Sequence, residues 1–220
     1  MLTFSTLLQT CHSGYRRASI SISNVESALT LYAALTASRP EKIAMAALAA
    51  VAGSILMTLS AKIAIPFYPV PLTMTTFVVI GLGLALGPRL GVAAVALYLM
   101  QGALGLPVFA GTPEKGIGLA YMAGPTGGYL VGYLLAAFAA GFLAERGADR
   151  SVVTAFLAAL VAGAVIYVPG LLYLGALFGW DQPILAWGLY PFILGDLTKA
   201  ALAALVFPAT WAMIAGKRGF

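Results

Sequence analysis

The sequence predicts an all-α membrane protein, a bundle of six transmembrane helices. Of its 220 residues, 61% are hydrophobic and only 9% are charged, and the mean hydropathy is +0.98. A soluble domain carries about 25% charged residues. Several apolar stretches exceed the roughly 18 residues needed to cross a hydrocarbon core, and their many Gly and Ala residues allow close helix packing in lipid. We therefore expect a polytopic helical protein embedded in a membrane.

Charge and side-chain content exclude several classes of function. The 12 Lys and Arg residues exceed the 7 Asp and Glu residues, but they are scattered between apolar segments, so no nucleic-acid partner is expected. The single cysteine, Cys11, excludes an intramolecular disulfide and a thiolate metal cluster, and the lone His12 excludes a multi-histidine metal site. No Ser/His, Asp/Asp or multi-histidine constellation is recognisable. We expect no enzyme activity, no metal and no cofactor.

Three regions are expected along the chain. Residues 1–40 contain twelve Ser or Thr residues and no apolar run long enough to span a membrane, which predicts a poorly ordered cytoplasmic tail. An upstream start codon, a vector-derived extension and an Arg/Ser-rich targeting peptide are the alternatives. Residues 41–216 form the six-helix domain, and residues 217–220 form a cytoplasmic C-terminus.

The six spans are separated by recognisable breaks. The first begins at "SRPEK", where Ser38 can cap the helix, and ends near Ile65 before "PFYPVP". The others cover about 72–86, 90–104, 129–144, 151–178 and 184–215, with a turn at "GPR" (87–89) between the second and the third. The Gly- and Pro-rich stretch 105–128 cannot form an ordinary lipid-facing helix.

The basic residues predict the orientation, since cytoplasmic loops collect Lys and Arg. With six spans both termini share one side, and nine of the twelve basic residues lie on it: Arg16, Arg17, Arg39, Lys42, Arg89, Arg146, Arg150, Lys217 and Arg218. Lys62 and Lys115 lie on the opposite face. Both termini are therefore expected in the cytoplasm, with loop 105–128 and turn 178–183 outside.

The stretch "LGDLTKAAL" (194–202) places Asp196 and Lys199 inside the last span, on one helix face. An ionised side chain there costs at least ~2.5 kcal/mol, so such residues usually face a bundle interior or a wet cavity and serve a ligand or a pathway. We interpret the pair as part of a ligand pocket. A structural ion pair and a proton relay are the alternatives.

Asp196 offers only acceptors and Lys199 only donors, which suits a small neutral group with both N–H and C=O, such as a urea or an amide. Gln101 could add an amide, or could instead form a helix–helix hydrogen bond. Lys115 could attract a ligand carboxylate, or could be a solvated loop lysine. Tyrosines that could form apolar walls with hydroxyl handles are Tyr121, Tyr167, Tyr129 and Tyr173, although packing or a position at the membrane interface explains each of them better than ligand binding when it is taken alone.

Small residues recur four apart in the first span, as Ala46/Ala50, Ala49/Gly53 and Ala50/Ser54. This spacing lets another helix approach closely. The second helix could belong to a partner protein or to the same bundle.

Three segments together resemble one family: "GLPVFAG" (105–111), "GIGLAYMAGPTGGYLVGY" (116–133) and "GDLTKAALAAL" (195–205). Their order and separation are similar to those of the BioY family, the biotin-specific substrate-binding S-components of energy-coupling factor (ECF) transporters. The resemblance covers about residues 41–216, and residues 1–40 have no counterpart. It implies a six-helix bundle that binds biotin near the extracellular surface, beneath the loop between the third and fourth helices.

The resemblance also implies residue roles and partners. Asp196 and Lys199 match the acid and the base that the family uses on its ligand, and Gln101 and Lys115 are carried over on a looser match. Ala46, Ala50 and their neighbours Ala49 and Gly53 correspond to the surface used toward a transmembrane T-component. A pair of cytoplasmic ATP-binding-cassette ATPases completes the transporter in the plasma membrane.

The chain has no G-x-x-x-x-G-K-[ST] motif, so it cannot hydrolyse ATP by that machinery and the energy for transport must come from elsewhere. The alternative function is a self-sufficient secondary transporter or facilitator for a small vitamin-like solute. A homo-oligomer is left open.

Overall fold

The computed structural model describes residues 30–36 and 42–216. Predictions that concern residues 1–29, 37–41 and 217–220, including the Ser38 cap and the C-terminal segment, lie outside these residues. The helices are α1 (Leu31–Thr36), α2 (Lys42–Lys62), α3 (Thr75–Ala103), α4 (Gly118–Met122), α5 (Gly127–Ala144), α6 (Val152–Phe178), α7 (Ile184–Gly188) and α8 (Tyr190–Gly216). Two short strands, β1 (Ala64–Ile65) and β2 (Leu72–Thr73), pair antiparallel around "PFYPVP". The all-α membrane class is confirmed.

The count of six spans is not confirmed, because five helical stretches in the described residues are long and apolar enough to cross a membrane. The predicted second and third spans are the two halves of α3, 29 residues in all. Gly87 divides them with non-helical dihedrals (φ 83°, ψ 176°), followed by Pro88. Each half is shorter than the ~20 residues of a full span.

The halves of α3 fold back on each other at the predicted "GPR" turn. A Cβ atom added to Gly91 would lie 3.0 Å from the Cα atom of Gly83. In a straight helix, residues eight apart are about 12 Å apart along the axis. The positive φ of Gly87 is a conformation that an L side chain rarely adopts, so glycine permits this reversal.

The bundle is centred on α3 and α5, whose most apolar 18-residue windows are 61% and 56% buried, against 22–28% for α2, α6 and the α7–α8 stretch. Small residues bring the central backbones into contact. A Cβ atom at Gly83 would lie 2.5 Å from the carbonyl oxygen of Ala137, and one at Gly132 would lie 2.7 Å from that of Ile166. The outer helices expose large apolar side chains, as expected for a protein surrounded by lipid.

Part of the predicted tail packs on the bundle. Residues 31–36 form α1, where Thr30 and Leu31 are buried and Leu31 belongs to an apolar cluster with Leu84 and Phe207. The Thr30 hydroxyl accepts a hydrogen bond from the Ala33 amide (3.3 Å), as a helix cap does. Burial of Leu31 fixes this short helix to the bundle.

One end of the bundle gathers α1, the fold-back, the turn 145–151 and the end of α8. A Cβ atom at Gly87 would lie 3.0 Å from Thr30 and 3.8 Å from Glu145. In the turn, Asp149 is fully buried, and its Oδ2 atom accepts from the indole N–H of Trp211 on α8. Its Oδ1 atom is buried without a hydrogen-bond partner, and burial raises the pKa of this carboxyl group above its ordinary value.

Candidate ligand-binding site

A cavity of about 610 Å³, counted with its open mouth, lies at the other end of the bundle, beneath the chain segments 64–73 and 104–126. Seven of the nineteen residues that line it are aromatic: Tyr98, Phe109, Tyr121, Tyr129, Tyr133, Tyr167 and Phe192. Asp196 and Lys199 are the charged residues of the lining. The structure therefore brings the predicted acid and base together in a largely apolar chamber.

The side chains of Asp196 and Lys199 form an ion pair within one helical turn of α8. The Nζ atom of Lys199 lies 3.1 Å from Oδ1 of Asp196, and the two side chains are 11% and 20% exposed, respectively. Partial burial with one face on a cavity leaves donor and acceptor atoms within reach of a ligand. The spacing of three residues had predicted this shared face.

Two further side chains complete the polar group. Lys199 donates from Nζ to the hydroxyl oxygen of Thr76 on α3 (2.7 Å), and the Tyr167 hydroxyl on α6 donates to Oδ2 of Asp196. A continuous chain therefore runs from Thr76 through Lys199 and Asp196 to Tyr167, linking three helices. Sequence reasoning missed Thr76, although the polar run "TMTT" (73–76) at the start of an apolar span was a usable signal.

Two contacts position Tyr129 in the aromatic wall of the cavity. The Tyr129 hydroxyl donates to the carbonyl oxygen of Gly188 (2.9 Å), and the Tyr129 ring stands edge-on to Tyr167 at 6.2 Å between centroids. Tyr133, one turn after Tyr129 on α5, was not predicted. Tyr173 does not line the cavity, and its hydroxyl donates to Ala123 on the surface instead (2.8 Å).

Residues 105–116, here called the roof loop, cover the cavity with Phe109 and Ala110. The Phe109 side chain is 1% exposed, stacks on Tyr121 at 4.8 Å and meets Tyr98 edge-on at 5.4 Å. The Tyr121 hydroxyl donates to the carbonyl oxygen of Ala110 (2.9 Å). Burial raises the pKa of Tyr121, so its phenol remains a neutral donor.

The end of α2 also holds the roof loop. The ammonium of Lys62 lies within hydrogen-bond distance of the carbonyl oxygens of Pro107 (2.7 Å), Phe109 (3.1 Å) and Thr112 (3.2 Å), and of the Thr112 hydroxyl (3.1 Å). In the sequence, Lys62 was assigned only to the outer face. Its loop partners lie 45–50 residues further along the chain, so local sequence could not indicate them.

Two of the predicted site residues do not line the cavity. The side-chain oxygen of Gln101 accepts from the Ser54 hydroxyl (2.7 Å), which joins α3 to α2. This contact is the helix–helix alternative that the sequence left open. Lys115 is exposed in the roof loop, and its aliphatic carbons lie against Gly111. Tyr121 and Tyr167, in contrast, line the cavity.

The small-residue stripe of α2 lies partly inside the bundle. Gly53 is buried, and a Cβ atom there would lie 2.9 Å from Leu82 and 3.0 Å from Ala94 of α3. Ala46, Ala49 and Ala50 are half-buried. Packing against α3 therefore accounts for Gly53, which has no surface to offer a partner helix.

Comparison with known proteins agrees with the architecture. A biotin transporter BioY from Thermotoga maritima is 41% identical over 152 residues, covering 69% of this chain and 86% of the relative. A probable biotin transporter BioY from Pyrococcus horikoshii is 40% identical over 151 residues, with the same shares. The crystal structure of an S-component for biotin from an ECF-type ABC transporter has a TM-score of 0.66 at 24% identity, covering 79% of this chain and 94% of that one.

The family match extends beyond the segments that suggested it. The model of the BioY family matches residues 28–216, so it begins before α1 and includes part of the region for which the sequence had indicated no counterpart. Together with relatives that are about 40% identical over most of their length, this match shows that the chain belongs to the BioY family.

Proposed function

We propose that this chain is the biotin-binding membrane subunit of an ECF-type uptake transporter. The observation that carries the proposal is the Asp196–Lys199 pair, placed on the wall of an aromatic cavity in a member of the BioY family. Biotin has a ureido ring, an apolar sulfur ring and a carboxylate tail. Each of these parts has a complement among the residues at or near the cavity.

In this proposal Asp196 accepts from the ureido N–H groups, and Lys199 donates to the ligand. The aromatic walls, including Tyr121 and Tyr167, pack on the sulfur ring. Lys115, exposed in the loop that contributes Phe109 and Ala110 to the cavity, attracts the carboxylate from the mouth. Gln101 is already bonded to Ser54, so we assign it to packing rather than to the ligand.

The proposal includes a T-component and two ATP-binding-cassette ATPases, because the chain lacks a phosphate-binding G-x-x-x-x-G-K-[ST] motif of its own. It also includes both termini in the cytoplasm of a plasma-membrane protein. In support, α1 and the end of α8 lie at the same end of the bundle as Arg89, Arg146 and Arg150, whereas Lys62 and Lys115 lie at the cavity end.

Isothermal titration of the purified full chain tests the proposal. We expect biotin to bind without ATP or partner proteins, since the cavity is built from one polypeptide, and biotin methyl ester to bind more weakly because it lacks the carboxylate. A folded sample that takes up no biotin would contradict the binding function. Equal affinities for biotin and its methyl ester would contradict only the role of Lys115, and the binding function itself would stand.

Uptake measurements test the energy source separately. Labelled biotin is followed into cells that carry the chain with and without the T-component and the ATPases. Concentrative uptake only with the full set supports the proposal. Equal concentrative uptake by the chain alone would favour a self-sufficient secondary transporter.

A further inference from the structure

We propose that Lys62 is a positioning residue that holds the roof loop closed over the cavity and thereby sets how long the ligand stays bound. Lys62 does not line the cavity, so it acts through the loop rather than on the ligand. The inference rests on the proposed biotin-binding function for its ligand, but its structural part can be tested without any ligand.

The geometry around the Lys62 ammonium is that of an anchored cation. Three carbonyl oxygens, from Pro107, Phe109 and Thr112, converge on Nζ at 2.7–3.2 Å together with the Thr112 hydroxyl. An ammonium group has three donors, and these acceptors use all of them. Since Lys62 is the last residue of α2, its positive charge also lies at the favourable end of that helix dipole.

The other loop carbonyls are held by neutral donors. The Tyr98 hydroxyl donates to Val108 (3.3 Å), and that of Tyr121 donates to Ala110 (2.9 Å). Among these three side chains, which all donate to the backbone of the roof loop, Lys62 is the one that carries a charge. Hydrogen bonds from charged donors are shorter and about twice as strong as those between neutral groups.

The anchored stretch carries the wall of the cavity. Phe109, whose carbonyl group binds Lys62, places its ring between Tyr98 and Tyr121, and both tyrosines line the same cavity. Without Lys62 the three carbonyl groups that it gathers lose their shared donor. The loop and the Phe109 ring would then leave the closed position more often, which opens the mouth of the cavity.

The first test measures ligand release. Purified full chains carrying Lys62→Met, Lys62→Arg or Tyr173→Phe are loaded with labelled biotin and chased with excess unlabelled biotin. We expect Lys62→Met to raise the dissociation rate by about tenfold, because a less firmly held roof loop opens the way out for the ligand and affinity differences between variants lie mostly in dissociation. Lys62→Arg, which keeps a charged donor, should restore most of the slow release. Tyr173→Phe is the matched control, since it removes a hydroxyl–carbonyl bond to Ala123 on the same face but outside the cavity.

This readout separates positioning from folding. A dissociation rate is measured on loaded molecules only, so loss of folded protein lowers its amplitude and not its value. A dissociation rate in Lys62→Met equal to that of the wild type would overturn the proposal. If Lys62→Met yields no folded protein, Lys62→Gln takes its place, with a neutral donor and an expected intermediate rate.

The second test needs no biotin. Hydrogen exchange is measured on the ligand-free chains at the roof-loop amides of Val108, Thr112 and Lys115, which donate within the loop. We expect faster exchange there in Lys62→Met, with wild-type rates in α5. Faster release without faster loop exchange would mean that Lys62 acts on the ligand directly, which overturns the positioning role. Faster loop exchange in a chain whose wild type binds no biotin would sustain the anchor and refute the proposed function.

Discussion

Lys199 and Thr76 are 123 residues apart in the chain, yet the lysine Nζ atom lies 2.7 Å from the threonine hydroxyl oxygen at the wall of the cavity. Thr76 belongs to the first turn of α3 and Lys199 to α8, so this hydrogen bond joins the folded-back helix α3 to the last helix. The position of the Lys199 ammonium group therefore depends on α3, although α3 contributes no charged residue to the lining of the cavity.

Replacing Thr76 should weaken biotin binding through Lys199. We expect Thr76→Val, which keeps the shape of the side chain, to raise Kd severalfold, because a lost hydrogen bond to a charged group is worth ~1.5 to 3 kcal/mol and the ligand restores part of it. Thr76→Ser retains the hydroxyl and is the control. Titration of both variants decides the matter, and equal affinities would show that Thr76 does not position the base.

The ion pair itself should be required for the ligand. If Asp196 accepts from biotin and Lys199 donates to it, Asp196→Asn and Lys199→Met should each weaken binding about tenfold to a hundredfold, since ~1.4 kcal/mol is one decade in affinity. Titration calorimetry and thermal unfolding are measured on both single variants and on the double variant.

A purely structural pair predicts a different pattern for these variants. Each single change would then leave a buried charge without its partner and lower the melting temperature, whereas the double change would restore folding. A stable double variant with near wild-type biotin affinity would show that the charges hold the helices rather than the vitamin.

Gln101 should contribute to stability and not to affinity. Its amide oxygen accepts from Ser54 between α3 and α2 and faces no cavity wall. We expect Gln101→Leu to lower the free energy of unfolding by ~1 kcal/mol, the usual net value of one hydrogen bond, with an unchanged Kd. Ser54→Ala is the partner variant, and the two effects should not add. A tenfold loss of affinity in Gln101→Leu would contradict this assignment and indicate that Gln101 takes part in ligand binding.

Stability should depend on pH through Asp149. Burial raises its folded-state pKa above the ordinary value of 3.8, so the folded chain binds more protons than the unfolded chain over the interval between the two pKa values. The contribution of Asp149 to the free energy of unfolding is thus fully present below the ordinary pKa, and it is lost as pH rises through the raised pKa of the folded state. Asp149→Asn keeps an oxygen for Trp211 and cannot ionise.

The comparison with this variant isolates the effect from other titrating groups. We expect the melting temperature of Asp149→Asn, relative to the wild type, to increase as pH rises from about 4 toward neutrality. Thermal unfolding of both chains across that range is the measurement. If the melting temperatures of the two chains change in parallel with pH, the pKa of Asp149 is the same in the folded and unfolded states, which contradicts the prediction.

The stripe on α2 should divide into a partner-facing part and a packing part. We expect Ala46→Leu, at a half-buried position, to weaken association with a T-component and to leave biotin binding intact, because a larger side chain blocks close helix approach. Gly53→Leu, against Leu82 and Ala94, should instead lower stability. Co-purification and titration are compared, and a joint loss of assembly and binding in Ala46→Leu would assign the whole stripe to internal packing.

Local features of the sequence determined the class of the protein, the break at 87–89 and the shared face of Asp196 and Lys199. Each depends on properties that act over a few residues: hydropathy, the dihedral preferences of Gly and Pro, and the helical period. The three segments 105–111, 116–133 and 195–205 likewise sufficed to indicate the family, since their combination is specific.

Contacts between distant segments were decided only by tertiary packing. Gly-to-backbone contacts between α3, α5 and α6 set how the helices cross, and that arrangement brings Thr76 to Lys199, Tyr167 to Asp196 and the roof loop to Lys62. It also turns Gln101 toward Ser54 and folds α3 into two short halves instead of two full spans. Residue type and spacing carry no information about a neighbour 45 or 123 residues away, because that neighbour is chosen by the close packing of the whole bundle.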